Sequence, residues 1–555
     1  MRSHTNNNES LLRRFTGIAA VFVFIVLLVG SVLWYENPPK GKGVEEPELS
    51  FSAERAFAHL THIAKEPHTF YMPENENVRQ YIVDQFKGLG LSVEVESYPI
   101  QYDRGNGIEE ATLNNIIATL KGSAEGKALM MSAHYDSVAK GPGANDDGVA
   151  VASLIETARV LQARGGPEHD ILFVITDGEE GGLLGAKEFW KASAFKDRVG
   201  MVANFEARGA SGPSLMFQTS PENGNLIRNF AAIAPSPVSN SFLADIYSKM
   251  PNDTDLTVSL REGVPGINFA YVGSWNKYHS AEDTVDNVSR ATLQHHGENA
   301  LAVAGHFGSM DLGNLKSGDV EYFNLYGKII HYPQTLNFPL AIILAAGLIL
   351  LTVLYVRKKQ ARFAKIAVSF VWVVLGCIIS ALVSLGYYEL INLVTQDMDM
   401  QFYHVSFLII TLIIHVLMSL MLRRSRNELE MVMSASYMFL ILIFVVNFLM
   451  PGASYMFTLP AAAHSIVLTA LLGVKEPSAV LRKSWVIMLL AIVPVLLFTT
   501  LFHLLFMAMP PLVNVVCAVL LSLNLSMLYP FTRNVADVLS HRKRSRKLDT
   551  ARVSI

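Results

Sequence analysis

Five short segments follow one another in this chain: His134-Tyr-Asp136, Asp146-Asp147, Glu179-Glu180, Glu206 and Tyr278-His279. They supply imidazole nitrogen and carboxylate oxygen, the donors that zinc takes when it keeps a position open for water. Two such ions, about 3.5–4 Å apart, need a carboxylate between them. Asp146 is placed to bridge, because the glycines of Gly143-Ala-Asn-Asp-Asp-Gly148 let the backbone fold tightly there. His134 with Glu206 then completes one ion, and Glu180 with His279 the other. Asp136, two residues past His134, is positioned to accept the second ring N–H and fix the tautomer. Glu179 adjoins a proposed ligand, so the two side chains diverge, leaving Glu179 to face water as general base and acid.

Taken singly, the segments are bland. Glu179-Glu180 reads as a solvated turn, Asp146-Asp147 as a helix cap and His279 as a satisfied polar residue. Their joint order points to two Zn2+ per chain. Tyr278 is a candidate donor to an oxyanion, or wall packing. Arg208 is a candidate partner for a substrate carboxylate, or a structural partner of an acid such as Asp255.

These groups need rigid elements behind them. Residues 128–133 form an apolar run that leads into His134, and 170–176 a second that delivers Asp177-Gly-Glu-Glu. Residues 148–164 carry apolar side chains at helical spacing, 183–194 read as a helix, and 199–205 as a strand ending at Glu206. Strands alternating with helices predict an α/β sheet, and sites in such sheets form at the carboxyl ends of strands.

The rest of the chain is of another kind. Half of all residues are hydrophobic (51%), but residues 338–530 hold an almost unbroken apolar stretch, whereas 36–320 read as an ordinary globular domain. The run 15–35 is long enough to cross a ~30 Å hydrocarbon core. It lacks a small-residue cleavage site, so it reads as a retained anchor rather than a signal peptide. Seven further spans are expected at 338–356, 364–388, 402–422, 431–450, 455–474, 485–506 and 510–529, with 321–337 as a linker and 531–555 as a basic tail. Arg13-Arg14, Arg357-Lys358-Lys359, Arg423-Arg424, Arg482-Lys483 and His541-Arg542-Lys543-Arg544 all fall on one side of eight spans. The alternate connections carry Asp397 and Asp399, or no charge. The basic side is cytoplasmic, so the globular domain lies outside the cytoplasm. A net charge of −3, with no basic face, excludes a nucleic-acid partner. Cys377 and Cys517 lie in apolar runs and form no disulfide framework.

His134-Tyr-Asp136, Gly-Ala-Asn-Asp146-Asp-Gly, Asp177-Gly-Glu179-Glu180-Gly and Tyr278-His279-Ser-Ala-Glu-Asp283-Thr resemble the di-zinc aminopeptidase family of metallopeptidases. The layout of one anchor, a peptidase domain and a multi-span half, with Asn204-Phe-Glu206-Ala-Arg-Gly209 and Asn252-Asp-Thr-Asp255, is similar to its vacuolar membrane protease branch and bacterial relatives. The resemblance covers the peptidase domain closely and the membrane half by layout. It implies a phosphorylase/hydrolase-like α/β sandwich with a mixed sheet, beside an all-α membrane domain. It also implies zinc-dependent hydrolysis of peptides, and a cis peptide after Asp146. It supports His134, Asp146, Glu180, Glu206 and His279 as ligands, Asp136 as orienter and Glu179 as acid and base. Glu206 stands where many soluble members have aspartate.

The expected protein is a membrane-anchored metallopeptidase with peptide substrates and a lipid bilayer around it. An aminopeptidase leads. A carboxypeptidase or dipeptidase follows if Arg208 binds substrate, and a glutaminyl cyclase is a rival that needs one zinc. From another class, a transporter or scaffold with a peptidase-like domain is the alternative. His404, His415, His464 and His503 lie in the spans, and interhelical hydrogen bonding accounts for them. The expected compartment is the periplasmic face of a bacterial inner membrane, or a vacuolar or ER lumen.

Overall fold

In the computed structural model, residues 2–103, 107–394 and 400–540 are described. Two compact units emerge, one of residues 35–335 and one of residues 1–34 with 336–555.

The 35–335 unit is built on one eight-stranded sheet. Its strands are β1 (Ser92–Asp103), β2 (Ile108–Leu120), β3 (Ala128–His134), β4 (Ile171–Thr176), β5 (Val199–Ala207), β6 (Leu215–Thr219), β7 (Val238–Ser239) and β8 (Gly266–Tyr271). They run in the order β1-β2-β4-β3-β5-β8-β6-β7. The central strands β4, β3, β5 and β8 are parallel, and antiparallel pairs flank them.

Every residue of β3 and β4 is buried, as expected of parallel strands covered on both faces. Successive side chains alternate between two cores. Met131, Phe173 and Ile175 pack with the helices Ala53–Ile63, Ala150–Ala163 and Arg290–Phe307. Met130, Leu172 and Val174 pack with Phe189, Trp190 and Leu256 on the opposite face. The expected α/β sandwich with a mixed sheet is therefore the observed one. β3 has β4 on one side and β5 on the other, so the chain leaves it in both directions. In open α/β sheets, sites form at the carboxyl ends of strands beside such a reversal.

Residues 321–337, expected as a linker, are mostly ordered structure. β9 (Val320–Leu325) and β10 (Lys328–Pro333) pair as a hairpin. Its two-residue turn, Tyr326-Gly327, has positive φ at both positions (48° and 71°), the geometry that suits tight hairpins. Hydropathy hid this alternation. Tyr322 is fully buried and its main chain exchanges hydrogen bonds with the Ser241 hydroxyl at 3.2 and 3.3 Å. Asn223 accepts from Val320 N at 3.0 Å. A domain cut after residue 320 loses the buried ring and strands these polar partners. Loss of one large buried aromatic costs about 3–5 kcal/mol. A domain of residues 40–335 should therefore melt roughly 5–10 °C above one of residues 44–320, as thermal unfolding of the two would show.

The second unit is helical. Among the described residues, seven helices are long and apolar enough to cross a membrane, or up to eight if one bent pair is a single span. This is a multi-pass membrane protein. The difference from expectation is at 510–529. The helix Val513–Met527 is followed, after an 81° bend, by a helix at Tyr529–Ser540. Pro530 explains the break, since proline cannot continue a helix but suits the first turn of a new one. His404 meets Asn514 at 3.1 Å and His415 meets Ser522 at 2.7 Å on neighbouring helices, whereas His464 bonds back to its own helix at Pro460 O, 2.7 Å. Asp397, Asp399 and the basic run from His541 lie outside the described residues.

Candidate metal centre

Each candidate side chain sits at a strand end or on the loop that follows. His134 ends β3. Its Nδ1 lies 2.9 Å from the main-chain oxygen of Asp136, with the Asp136 carboxylate farther off at 3.4 Å. The orienting contact to the imidazole is thus the carbonyl. The Asp136 carboxylate instead accepts from Glu179 N at 2.9 Å and Glu180 N at 3.2 Å, holding the loop beyond β4. Gly178 has φ 71° at the start of that loop, a conformation glycine adopts without strain.

Residues Ala144–Val149 form an irregular turn. The peptide bond between Asp146 and Asp147 is cis. Gly143 has φ 63°, and a Cβ there would come within 2.6 Å of the Asp146 carbonyl oxygen, so the turn requires glycine. Asp283 clamps it from outside by accepting from Asn145 N and Nδ2 at 2.8 Å each and from Asp146 N at 3.1 Å. Glu206 lies in β5 and accepts from Asn204 Nδ2 at 3.1 Å. His279 follows β8 with φ 53°, unusual for a residue with a Cβ. Tyr278 stacks on its ring at 3.7 Å between centroids.

These elements converge. His134 Nε2 lies 3.3 Å from Asp146 Oδ1 and 3.7 Å from Glu206 Oε2. His279 Nε2 lies 3.1 Å from Asp146 Oδ2 and 3.0 Å from Glu180 Oε1. Asp146 thus turns one oxygen toward each histidine. Among the described residues, two groups have ligand atoms within 4.8 Å of one another: His134 with Asp147 and Glu206, and Asp146 with Glu180 and His279.

The donor set fits metal ions on its own chemistry. Asp147 Oδ1, Glu180 Oε1 and His279 Nε2 are buried with no hydrogen bond, although His279 and Glu180 stand at ion-pair distance. Buried polar atoms are ordinarily paired. Among the described residues, no lysine or arginine forms a salt bridge with Asp146, Asp147, Glu179, Glu180, Glu206 or Asp255. Burial therefore pushes Glu206 up to about 8 and Glu180 up to about 7, and neighbouring carboxylates add to the rise. Glu179 is raised well above its usual range by the same two causes, against the pull of His134. Asp146 runs the other way. Burial would raise it, but the hydrogen bonds of His134 and His279 outweigh that and bring it to about 2. So much negative charge out of water calls for cations.

The structure adds residues that sequence reading missed. Adjacent residues in regular structure diverge, so Asp146-Asp147 offered one ligand. The backbone here is irregular at both (φ −108°, ψ 91° and φ −127°, ψ 33°), and Asp147 also faces His134 and Glu206. Asp255 is buried, accepts from the Thr176 hydroxyl, and its charge acts on Glu206; the Arg208 guanidinium lies against the side-chain amide of Asn252. Tyr247 has a buried hydroxyl beside Thr254, and the charges of Glu206 and Glu179 act on it. For Asp283, the Asp283-Thr motif was a signal without a role. Asp283→Ala should leave three N–H donors unpaired, each costing about 1–3 kcal/mol, and weaken metal binding by roughly 10–100-fold. Thermal melts and metal titration of the same variant measure both.

The α/β sandwich thus carries paired imidazole–carboxylate clusters at its carboxyl edge, a donor set suited to metal ions. Residues 115–304 match the model of peptidase family M28 and contain every group just described. Curated relatives include mouse endoplasmic reticulum metallopeptidase 1, 29% identical over 337 residues that cover 56% of this chain and 37% of that protein. The vacuolar membrane protease of Candida albicans (strain WO-1) is 29% identical over 296 residues, 52% of this chain and 34% of its own. The match thus spans little more than a third of these relatives. Among solved structures, an aminopeptidase from Aneurinibacillus sp. strain AM-1 aligns over 48% of this chain and 97% of its own, at 17% identity and a TM-score of 0.40.

Proposed function

We propose that this chain is a membrane-bound peptidase that holds two zinc ions and removes residues from the amino end of peptides outside the cytoplasm. The observation that carries the reading is Asp146 between the two histidines, one oxygen to each. His134, Glu206 and Asp147 would hold one ion and His279 with Glu180 the other, with Asp146 shared. Bound zinc supplies Lewis acidity, polarising a carbonyl and making water easier to deprotonate. Glu179 takes the proton of the attacking water and later gives it to the departing amine nitrogen as the C–N bond breaks. Tyr278, stacked on His279, is placed to donate its hydroxyl to the carbonyl oxygen as charge develops there.

Two features favour the amino end. The surplus carboxylates attract an ammonium rather than a carboxylate, and Arg208 is engaged by Asn252. Paired clusters disfavour the one-zinc cyclase. The sidedness rests on the basic residues: Arg14, Arg482 and Arg533 all gather around Asp537, which suits a common cytoplasmic face. A peptide panel with free, acetylated or amidated ends tests the reading. Acetylation of the amino end should abolish cleavage, and amidation of the carboxyl end should not. The reverse result makes the enzyme a carboxypeptidase.

A further inference from the structure

A row of amide side chains crosses three strands beside Glu206, and the chemistry above does not account for it. Asn204 of β5 lies in register with Asn268 of β8, and Asn268 in register with Gln218 of β6. Both asparagines are fully buried. Their face of the sheet is otherwise apolar: Val202, two residues before Asn204, shares a core with Met130, Leu172 and Leu256. A buried amide is tolerated only when its hydrogen bonds are made, whereas apolar residues would fill these positions without that demand. Packing alone therefore does not explain the row.

Its hydrogen bonds lead to the metal centre. Asn204 Nδ2 donates to Glu206 Oε1 and to Asn268 Oδ1, each at 3.1 Å. With oxygen acceptors on both sides, that end of the amide must be the NH2 group, and both of its hydrogens are used. Asn268 Nδ2 donates in turn to Gln218 Oε1 at 3.0 Å and to Thr254 Oγ1 at 2.7 Å. Each amide is thereby fixed in one orientation by the next. Asn204 and Glu206 are two apart on one strand, so their side chains share a face. The two oxygens of Glu206 are left in different roles. Oε1 is held by Asn204, while Oε2 stands 3.7 Å from His134 Nε2.

We infer that Asn204 is the positioning residue of Glu206, with Asn268 as its backing: by occupying Oε1, the amide leaves Oε2 as the single oxygen offered to a metal ion. A glutamate needs such a hold more than an aspartate does. Its longer stem adds a rotatable bond, and the terminal torsion is broad and two-fold, so an unheld Glu206 would be free to turn both oxygens to the ion or to swing away from it. The row spans β5, β8 and β6, so the constraint is imposed by the sheet. The assignment rests on the two-zinc reading of the site.

The test is zinc titration of the full-length protein, with thermal melting and peptide turnover on the same samples. Asn204→Val removes the donor and keeps a residue suited to a buried strand. One zinc should then be held roughly 10–100-fold more weakly and the other as in the wild type. The rise in melting temperature on adding zinc should shrink accordingly. At saturating zinc, kcat should fall about tenfold with KM little changed. Asn268→Val, which leaves Asn204 without its backing, should move the same readings the same way by a smaller factor, and it decides the matter if Asn204→Val does not fold. Unchanged zinc affinity in a folded variant overturns the assignment. So does an equal fall in melting temperature with and without zinc, or loss of folding in both variants, since either makes the row part of the core alone. Wild type that binds two zinc ions but cleaves no peptide overturns the peptidase reading and leaves the role of Asn204 standing. Wild type that binds no zinc overturns the metal reading and this assignment with it, a result read on the wild type and not on the variants.

Discussion

Glu179→Gln should keep its zinc and turn over peptides roughly 10²–10⁴-fold more slowly, the range for a lost general base. The substitution preserves shape and removes only the ability to accept a proton. Folding should survive it, because the loop is held through main-chain N–H groups that the Asp136 carboxylate accepts, not through the Glu179 side chain. The site is also the place where a base of unusual affinity is expected. Burial and the charges of Glu206, Asp255 and Glu180 raise Glu179 against the opposing pull of His134, and raised carboxyls accept protons more readily. Metal content and kcat measured on one sample decide the matter. Near-normal turnover with full zinc would remove Glu179 from the chemistry.

The second large effect is on the metal. Wild-type protein should contain about two zinc per chain, and His134→Ala and His279→Ala should each lose metal, since a site deprived of one strong ligand binds far more weakly. The two variants should differ in kind. His134 is buried, locked by the Asp136 carbonyl, and close to both Asp146 and Glu206, so its loss also leaves carboxylates facing one another out of water. His279 has a side chain 38% exposed and ends a loop, so its loss should empty the outer site with a smaller change in melting temperature. Zinc analysis, with thermal unfolding of each variant with and without added zinc, separates these outcomes. One zinc in fully active wild type would point to single-metal chemistry.

Much of this protein was readable from residue order because its physics is local. Buried parallel strands must be apolar runs, so 128–133 and 170–176 announced themselves, and the groups at their carboxyl ends were His134 and Glu179-Glu180. Membrane helices were legible for a similar reason: a long uncharged run has few alternatives, and seven such helices are present among the described residues. Tertiary structure decided what depends on groups distant in sequence. Asp283 reaches across 137 positions to the Asp146 main chain, Asn75 reaches Asp177 across 102, and neither contact leaves a period in the sequence. Asp147 turned inward only because the turn abandons regular φ and ψ. The hairpin of β9 and β10 alternates over six-residue strands whose burial is set by Ser241 and Asn223, so a hydropathy average ran straight through it. Residue types and their order determined which chemistry was available. Side-chain contacts to distant main chain decided where each group points, because hydrogen bonds of that kind are specified by position in space and not by spacing along the chain.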